Sequence, residues 1–212
     1  MPFGDKSLDL SLPHVMGILN VTPDSFSDGG AFNSLDAALR QSEKMVQEGA
    51  SIVDVGGEST RPGAAPVSIQ QELDRVLPIV EAIKQRFDVI VSVDSSTAEV
   101  LQGAAHLGMG LINDVRALER EGALQAAAKT SLPICLMHMK GMPQTMQDRP
   151  DYVSVVDDVA SYLMSRVAEC ESIGISLSRL FLDPGIGFGK TLAHNLLLLK
   201  HIEVFKEMGA EV

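Results

Sequence analysis

Leu180-Phe-Leu-Asp-Pro-Gly-Ile-Gly-Phe-Gly-Lys190 compresses the organisation of the whole chain into one short stretch. An apolar run ends on Asp183, Pro184 stops any regular continuation, and the glycines let the backbone pass close to something bound. A buried strand thus delivers a carboxylate to a loop. The same pattern recurs in Met16-Gly-Ile-Leu-Asn20, Ile52-Val-Asp-Val-Gly-Gly57, Val91-Ser-Val-Asp94 and Leu111-Ile-Asn-Asp-Val115, each an apolar run closing on Asp, Asn or Gly. One site assembled from the ends of many strands is the expectation.

Working outward, apolar runs predict strands over 15–21, 51–57, 89–94, 111–115, 133–139 and 180–183. Helical spacing predicts helices over 34–48, with Ser34 as N-cap, and over 69–87, 97–107, 123–129, 153–173 and 195–208. Residues 1–14 read as an entry arm or a small hairpin. Strict alternation of buried-type strands with helices implies a parallel sheet, as a barrel or a doubly wound fold. The long polar loops Thr22 to Gly30 and Glu58 to Pro66 follow strands, whereas the turns before strands are short, which favours an α/β architecture of the TIM (β/α)8 barrel type. Gln47-Glu-Gly-Ala-Ser-Ile-Val53 leads one helix into the next strand, and Lys206-Glu-Met-Gly-Ala-Glu-Val212 repeats that entry. The reading is therefore one domain over 1–212 carrying six of eight βα units, with the inner barrel face expected to be apolar where those units are not present.

The apolar share is 45%, the net charge is −11 and the isoelectric point is near 4.8. An acidic average argues against a nucleic-acid partner, so any anionic ligand must be met locally. No window reaches the length of a membrane span, and no secretory leader is evident; the expected location is cytoplasmic. Cys135 and Cys170 lack metal-ligand spacing and read as reduced, buried thiols.

Strand ends in such folds face the mouth of the barrel, so Asn20, Asp94, Asn113 and Asp183 are expected to converge. Carboxylates only accept hydrogen bonds, while an amide donates and accepts. The set suits a planar ligand that carries several N–H groups beside a carbonyl. Gly185 to Lys190 lacks the spacing and the Ser/Thr of a phosphate loop, and Arg61 is the better anion candidate. His138 reads as a core or supporting histidine, and Met137, Met139 and Met142 as walls of a flat slot. Neither a Ser-His-Asp nor a Cys-His pair is indicated, so the chemistry implied is binding and orientation.

Met16 to Gly30, Gly56-Gly-Glu-Ser-Thr-Arg-Pro-Gly-Ala64 and Leu182 to Lys190 resemble the motifs of the bacterial dihydropteroate synthase family. Ser92-Val-Asp-Ser95, Ile112-Asn-Asp114 and Met137-His-Met139 are similar to its pterin-pocket segments. The resemblance implies a transferase of folate biosynthesis that joins a dihydropterin methyl diphosphate to 4-aminobenzoate and releases diphosphate, and that sulfonamides target. It implies that Asp94, Asn113, Met137 and Asp183 hold the pterin and that Asn20 helps to hold magnesium. Thr60 and Arg61 would meet the diphosphate, and Phe26, Pro62 and Phe188 would wall the aminobenzoate pocket. Catalytic roles would fall to Arg61, Asp94 and Asp183, and the two polar loops would close over bound diphosphate. A homodimer is the implied assembly of the complete protein. The family's later Ser-Arg-Lys and Arg-x-His segments have no counterpart before Val212, so a chain of these residues alone is expected to be inactive and prone to associate. Two other readings stand beside this one: a pterin-binding methyltransferase barrel, which has no use for a Thr-Arg-Pro loop, and an inactive pterin-binding fragment.

Overall fold

Valine and isoleucine dominate the strand segments because branched side chains fit a pleated surface packed on both faces. In the computed structural model, which describes residues 1–22, 30–59, 67–141, 146 and 150–212 and the side chains of the first helix from 35 onward, they form six parallel strands. An antiparallel hairpin of β1 (Pro2–Phe3) and β2 (Lys6–Ser7) comes first. The parallel strands are β3 (Met16–Asn20), β4 (Ile52–Gly56), β5 (Ile90–Asp94), β6 (Leu111–Asp114), β7 (Ile134–Met137) and β8 (Leu180–Asp183), adjacent in chain order. Between and after them run α1 (Gly30–Gln47), α2 (Ile69–Arg86), α3 (Ala98–His106), α4 (Ala123–Ala128), α5 (Val155–Ser172), α6 (Leu192–Lys200) and α7 (Ile202–Lys206). These are six consecutive βα units of a TIM barrel.

Local sequence sets the helix ends. Ser68 and Gln71 form a reciprocal capping box on α2, and Thr191 and His194 do the same on α6. That second cap corrects the expected start at 195: the helix begins at Leu192 and breaks at His201 into α6 and α7. The first helix likewise begins at Gly30, so Ser34 lies inside it rather than capping it. Strand β7 stops at Met137, which leaves His138 and Met139 in the loop beyond. Gly49 and Gly209 both adopt positive φ, of 102° and 84°, so the repeated helix-stop segments share a local conformation. After the second, Glu211 pairs in parallel with Phe181 of β8, as a further strand would.

Alternate strand residues face opposite ways. Val53, Val55, Val91, Val93, Ile112, Ile134, Leu136, Leu180 and Leu182 join the large core against the helices. The inner face is graded along the barrel axis. At the N-terminal end, Ile52, Ile90 and Leu111 gather around Phe3, whose ring also meets Phe181 at 5.9 Å. Above them the inward residues are Asp54, Ser92, Asn113, Asp94 and Asp183. The expectation of an apolar inner face is thus corrected for β4 to β6 and β8, where the lower layer is apolar and the upper layers carry these polar side chains. On edge strand β3 the apolar expectation does hold, with Ile18 62% exposed.

The N-terminal arm is therefore a plug rather than a loose lead. Phe3 is 1% exposed, and its carbonyl lies 2.9 Å from where a Cβ on Gly110 would sit. Phe3→Ala is expected to destabilise the fold by about 3–5 kcal/mol, the usual range for a buried phenylalanine. Urea unfolding that moves by less than about 1 kcal/mol would remove the hairpin from the core.

Candidate functional site

Two geometric rules decide which side chains meet. Parallel pairing fixes rows, and the strands of an eight-unit barrel climb by about one residue per strand, so side chains two residues off the row on alternate strands share a level. Asp54 pairs through Ser92 with Leu111, two residues before Asn113; Asn113 pairs through Cys135 with Phe181, two residues before Asp183. Asp54, Asn113 and Asp183 are therefore level on the even strands. By the same rule Asp94 on β5 is level with Met137 on β7. The structure thus brings Asp94, Asn113 and Asp183, three of the four strand-end residues expected to converge, to one mouth, with Met137 level with Asp94.

Asp54 is the residue that reading by strand ends missed. It lies inside its strand, is 3% exposed, and its Oδ2 accepts a hydrogen bond from Asn113 Nδ2 at 3.0 Å. A carboxylate in the middle of Ile52-Val-Asp-Val was the available signal. Among the described residues, Asp54 Oδ1 and the neighbouring Ser92 Oγ are buried without a hydrogen bond of ordinary geometry, although Ser92 lies close enough to draw Asp54 back toward ionisation.

Asn20 is exposed at the end of β3 and approaches the same mouth. Its Oδ1 lies 3.6 Å, and Asp94 Oδ2 3.7 Å, from the point where a Cβ on Gly56 would stand. The glycine leaves the space between them open. Among the described residues no three His, Cys, Asp or Glu side chains cluster as a metal cage. Phe26, Thr60, Arg61, Pro62 and Met142 lie outside the described residues, as does most of both polar loops.

The loop after β8 is held from below. Buried Lys190 Nζ lies within hydrogen-bond reach of the carbonyls of Gly185 (2.8 Å), Phe188 (2.9 Å) and His138 (3.2 Å) and of His138 Nδ1 (3.0 Å), which share its three N–H groups. This lysine faces inward, so the glycine loop is no phosphate cradle. Gly185 has φ of 69°, and a Cβ there would fall 1.9 Å from the His138 carbonyl oxygen, so no other residue fits. Burial, and then the Lys190 charge, push His138 down to about 3, and the ring packs edge-on to Tyr162 at 5.0 Å. With basicity that low and Nδ1 engaged, it is a poor general base at neutral pH. Phe188 is half-buried on this loop.

Burial dominates the electrostatics of the mouth. It raises Asp54 and Asp183, and it raises Asp94 well above the carboxylate range with help from the charges of Asp54 and Asp114. Asp114, behind the site, is raised to about 6. Cys135 at the centre is raised well above its usual range by burial and by four surrounding aspartates, so it remains a thiol. The free protein therefore holds buried Asp54 close to half-buried Asp94 and Asp183, a state that ring N–H donors would relieve.

For such groups the folded pKa exceeds the unfolded value. Their stabilising contribution is full below pH 3.8 and is lost as pH rises through the folded pKa, for Asp114 near 6. Asp94→Asn is accordingly expected to stabilise the free protein at pH 7.5 by about 0.5–2 kcal/mol, the usual gain when a functional-site compromise is removed. It should also shrink the stability gained on acidification from pH 7 to 5. Chemical denaturation showing the variant less stable at neutral pH would contradict the electrostatic account.

Comparison with known proteins identifies the family. A family profile described as "Pterin binding enzyme" matches residues 16–212. The dihydropteroate synthase of Escherichia coli strain K12 is 58% identical over 94% of this chain and 71% of its own length. The crystal structure of Yersinia pestis dihydropteroate synthase with a sulfonamide drug superposes with a TM-score of 0.90 at 56% identity, over 96% of this chain and 74% of that one. The Xanthomonas albilineans dihydropteroate synthase with 4-aminobenzoic acid gives 0.89 at 45% identity, over 96% and 72%. Geometry, family profile and relatives coincide, and the chain belongs to the pterin-binding enzyme family, among the dihydropteroate synthases.

Proposed function

We propose that this protein is a dihydropteroate synthase of folate biosynthesis: it condenses (7,8-dihydropterin-6-yl)methyl diphosphate with 4-aminobenzoate to give 7,8-dihydropteroate and diphosphate. The observation that carries the reading is the meeting of Asp54, Asp94, Asn113 and Asp183 at one mouth, where Asn113 Nδ2 donates to buried Asp54. A pterin edge offers ring and amino N–H groups beside a carbonyl, which matches carboxylate acceptors flanking an amide.

The protein's part in the reaction is to hold and to orient. Asp94, Asn113 and Asp183, joined by Asp54, fix the ring so that its exocyclic methylene points out of the mouth, with Met137 against the ring. The arylamine nitrogen bonds to that methylene, the carbon–oxygen bond to diphosphate breaks, and the amine then loses a proton. The ring carries the positive charge that develops, and the nearby carboxylates stabilise it electrostatically. Thr60 and Arg61 would bind the diphosphate as it leaves, and Phe26, Pro62 and Phe188 would enclose the aminobenzoate, where sulfonamides would also bind. Neither His138 nor Cys135 takes part as a base or a nucleophile.

Asn20 fits a role in holding magnesium. It presents one hard amide oxygen over open space beside Gly56, and magnesium keeps most of its water while taking further oxygens from phosphate. When bound there, the ion would neutralise charge on the departing diphosphate. We place the enzyme in the cytoplasm as a homodimer; no helix among the described residues is long and apolar enough to cross a membrane. Residues 1–212 complete the reading as one pterin-binding barrel domain that carries six of the eight βα units.

Turnover of the pterin diphosphate with 4-aminobenzoate is the direct test, with calorimetry as its partner. Asp183→Asn is expected to weaken pterin binding by about 1–3 kcal/mol, the cost of leaving a buried donor poorly paired. Pterin affinity indifferent to that change, or absent from the unmutated protein, would refute the assignment.

A further inference from the structure

Lys190 is 3% exposed, and its partners are the carbonyls and one ring nitrogen of two loops rather than a carboxylate. A buried ammonium is costly unless its N–H groups are met. It donates three hydrogen bonds and accepts none, so the four acceptors within its reach make a seat for the charged form. Burial lowers Lys190 to about 8, with the Asp183 charge acting the other way, and at pH 7 the seat therefore holds a cation. That seat straddles two loops. Gly185 and Phe188 follow β8, and His138 follows β7.

From the seat, two short chains of contacts lead to Asp183. Lys190 Nζ lies 2.8 Å from the Gly185 carbonyl, and the Gly185 N–H donates to Asp183 Oδ1 at 2.7 Å. On the other side Nζ lies 3.0 Å from His138 Nδ1, and the His138 N–H donates to the Asp183 carbonyl at 2.9 Å. The carboxylate and the backbone of Asp183 are thus each one residue removed from the ammonium. Burial raises Asp183, and the Gly185 amide and then the Lys190 charge draw it back toward ionisation. Lys190 therefore acts on Asp183 both through an amide and through its field. Two further contacts join the loops without passing through Lys190. Tyr152 Oη donates to the Gly189 carbonyl at 2.9 Å, and a Cβ on Gly189 would fall 2.6 Å from the Lys140 carbonyl oxygen.

We infer that Lys190 is a positioning residue for pterin binding: its ammonium, seated between the loops after β7 and β8, fixes the Gly185 amide and so holds the Asp183 carboxylate in the mouth as an acceptor. The inference rests on the pterin role proposed above for Asp183. Lys190 is not a ligand for phosphate, because its N–H groups are taken up by the loops themselves. An anion ligand, a general prop of the fold and a positioning residue for Asp183 make different predictions.

Calorimetry with two probes separates them: 6-hydroxymethyl-7,8-dihydropterin, which has no phosphate, and inorganic diphosphate with magnesium. The proteins compared are the unmutated chain, Lys190→Met, Lys190→Ala, Asp183→Asn and the combination of Lys190→Met with Asp183→Asn. Methionine keeps an unbranched side chain and removes the donors. Lys190→Met is expected to lose about tenfold or more in pterin affinity while diphosphate affinity stays within about threefold. Added to Asp183→Asn, the same change is expected to cost less than about threefold further, since a residue that acts through Asp183 has little left to position. Lys190→Ala lacks Cγ, Cδ, Cε and Nζ, the heavy atoms of n-propylammonium. That cation is expected to restore pterin affinity by about threefold or more, and tetramethylammonium at the same ionic strength, which has no N–H, to restore none. Equal losses from Lys190→Met with and without Asp183 would make Lys190 a general prop and overturn the inference, as would a pterin affinity that Lys190→Met leaves unchanged. Loss of diphosphate affinity alone would make Lys190 an anion ligand and overturn it too. If neither Lys190 variant folds, nitrogen NMR of the lysine ammonium groups in the unmutated protein decides: the Lys190 Nζ signal is expected to shift when the pterin binds, and a signal that stays in place would overturn the inference. An unmutated protein that binds no pterin would overturn the site assignment, and the inference with it.

Discussion

A parallel strand cannot choose which of its residues face inward, because the pleat sends alternate side chains to opposite faces and the register with both neighbours fixes the phase. In this protein that constraint separates two chemistries along each strand. Val53 and Val55 enter the core beneath the helices, and Asp54 between them enters the barrel. Val91 and Val93 go outward while Ser92 and Asp94 go inward. A slip of one residue would place carboxylates under the helices and valines in the mouth, so the hydrophobic pattern that folds the sheet also aims the site. The stagger between strands then brings Asp183 level with Asn113, although the two are not register partners.

The second tier of structure keeps that mouth from relaxing. Carboxylates packed near one another would tend to turn away or recruit water, and here the segments after β5 and β8 are tied down. Glu72 on α2 is buried and accepts from Ser95 Oγ at 2.6 Å and Thr97 Oγ1 at 2.5 Å, which anchors the segment just after Asp94. Thr97 Oγ1 is shared with Arg120 at 2.9 Å. Lys190 plays the corresponding part beneath the β8 loop, where its ammonium group collects carbonyls from both sides. Preorganised groups of this kind need no reorganisation as charge develops, which is the condition under which fixed dipoles and charges are most effective.

How legible was this in the sequence? The order and type of the parallel strands followed from short apolar runs that alternate with helical spacing, and Asp94, Asn113 and Asp183 followed from their place at strand ends. Asp54 did not, because an end-of-strand rule is blind to an inward residue in mid-strand; the alternation rule would have found it. The break at His201 was hidden because Leu196 to Val204 keeps an apolar pattern through it. The start of α6 was hidden because its cap uses His194, a residue outside the usual Glu or Gln at that position. The plug role of Phe3 was invisible for another reason: two-residue strands carry no periodicity, and only the tertiary fold shows that the lower barrel layer lacks a residue that Phe3 supplies. The contacts of Lys190 with His138 join residues far apart in the chain, and no local pattern encodes them.

The central claim is that this site is built from carboxylates held desolvated and out of their ordinary titration range until a ring with N–H donors arrives. Carbon-detected NMR titration of the aspartate side-chain carboxyl groups, in the free protein and with a dihydropterin bound, measures this directly. The account predicts that Asp94 titrates well above the usual aspartate range in the free protein, that Asp114 titrates near 6, and that bound pterin moves Asp94 downward as its N–H groups satisfy the ionised form. An Asp94 that titrates at the ordinary aspartate value in the free protein, or that does not respond to the pterin, would contradict it.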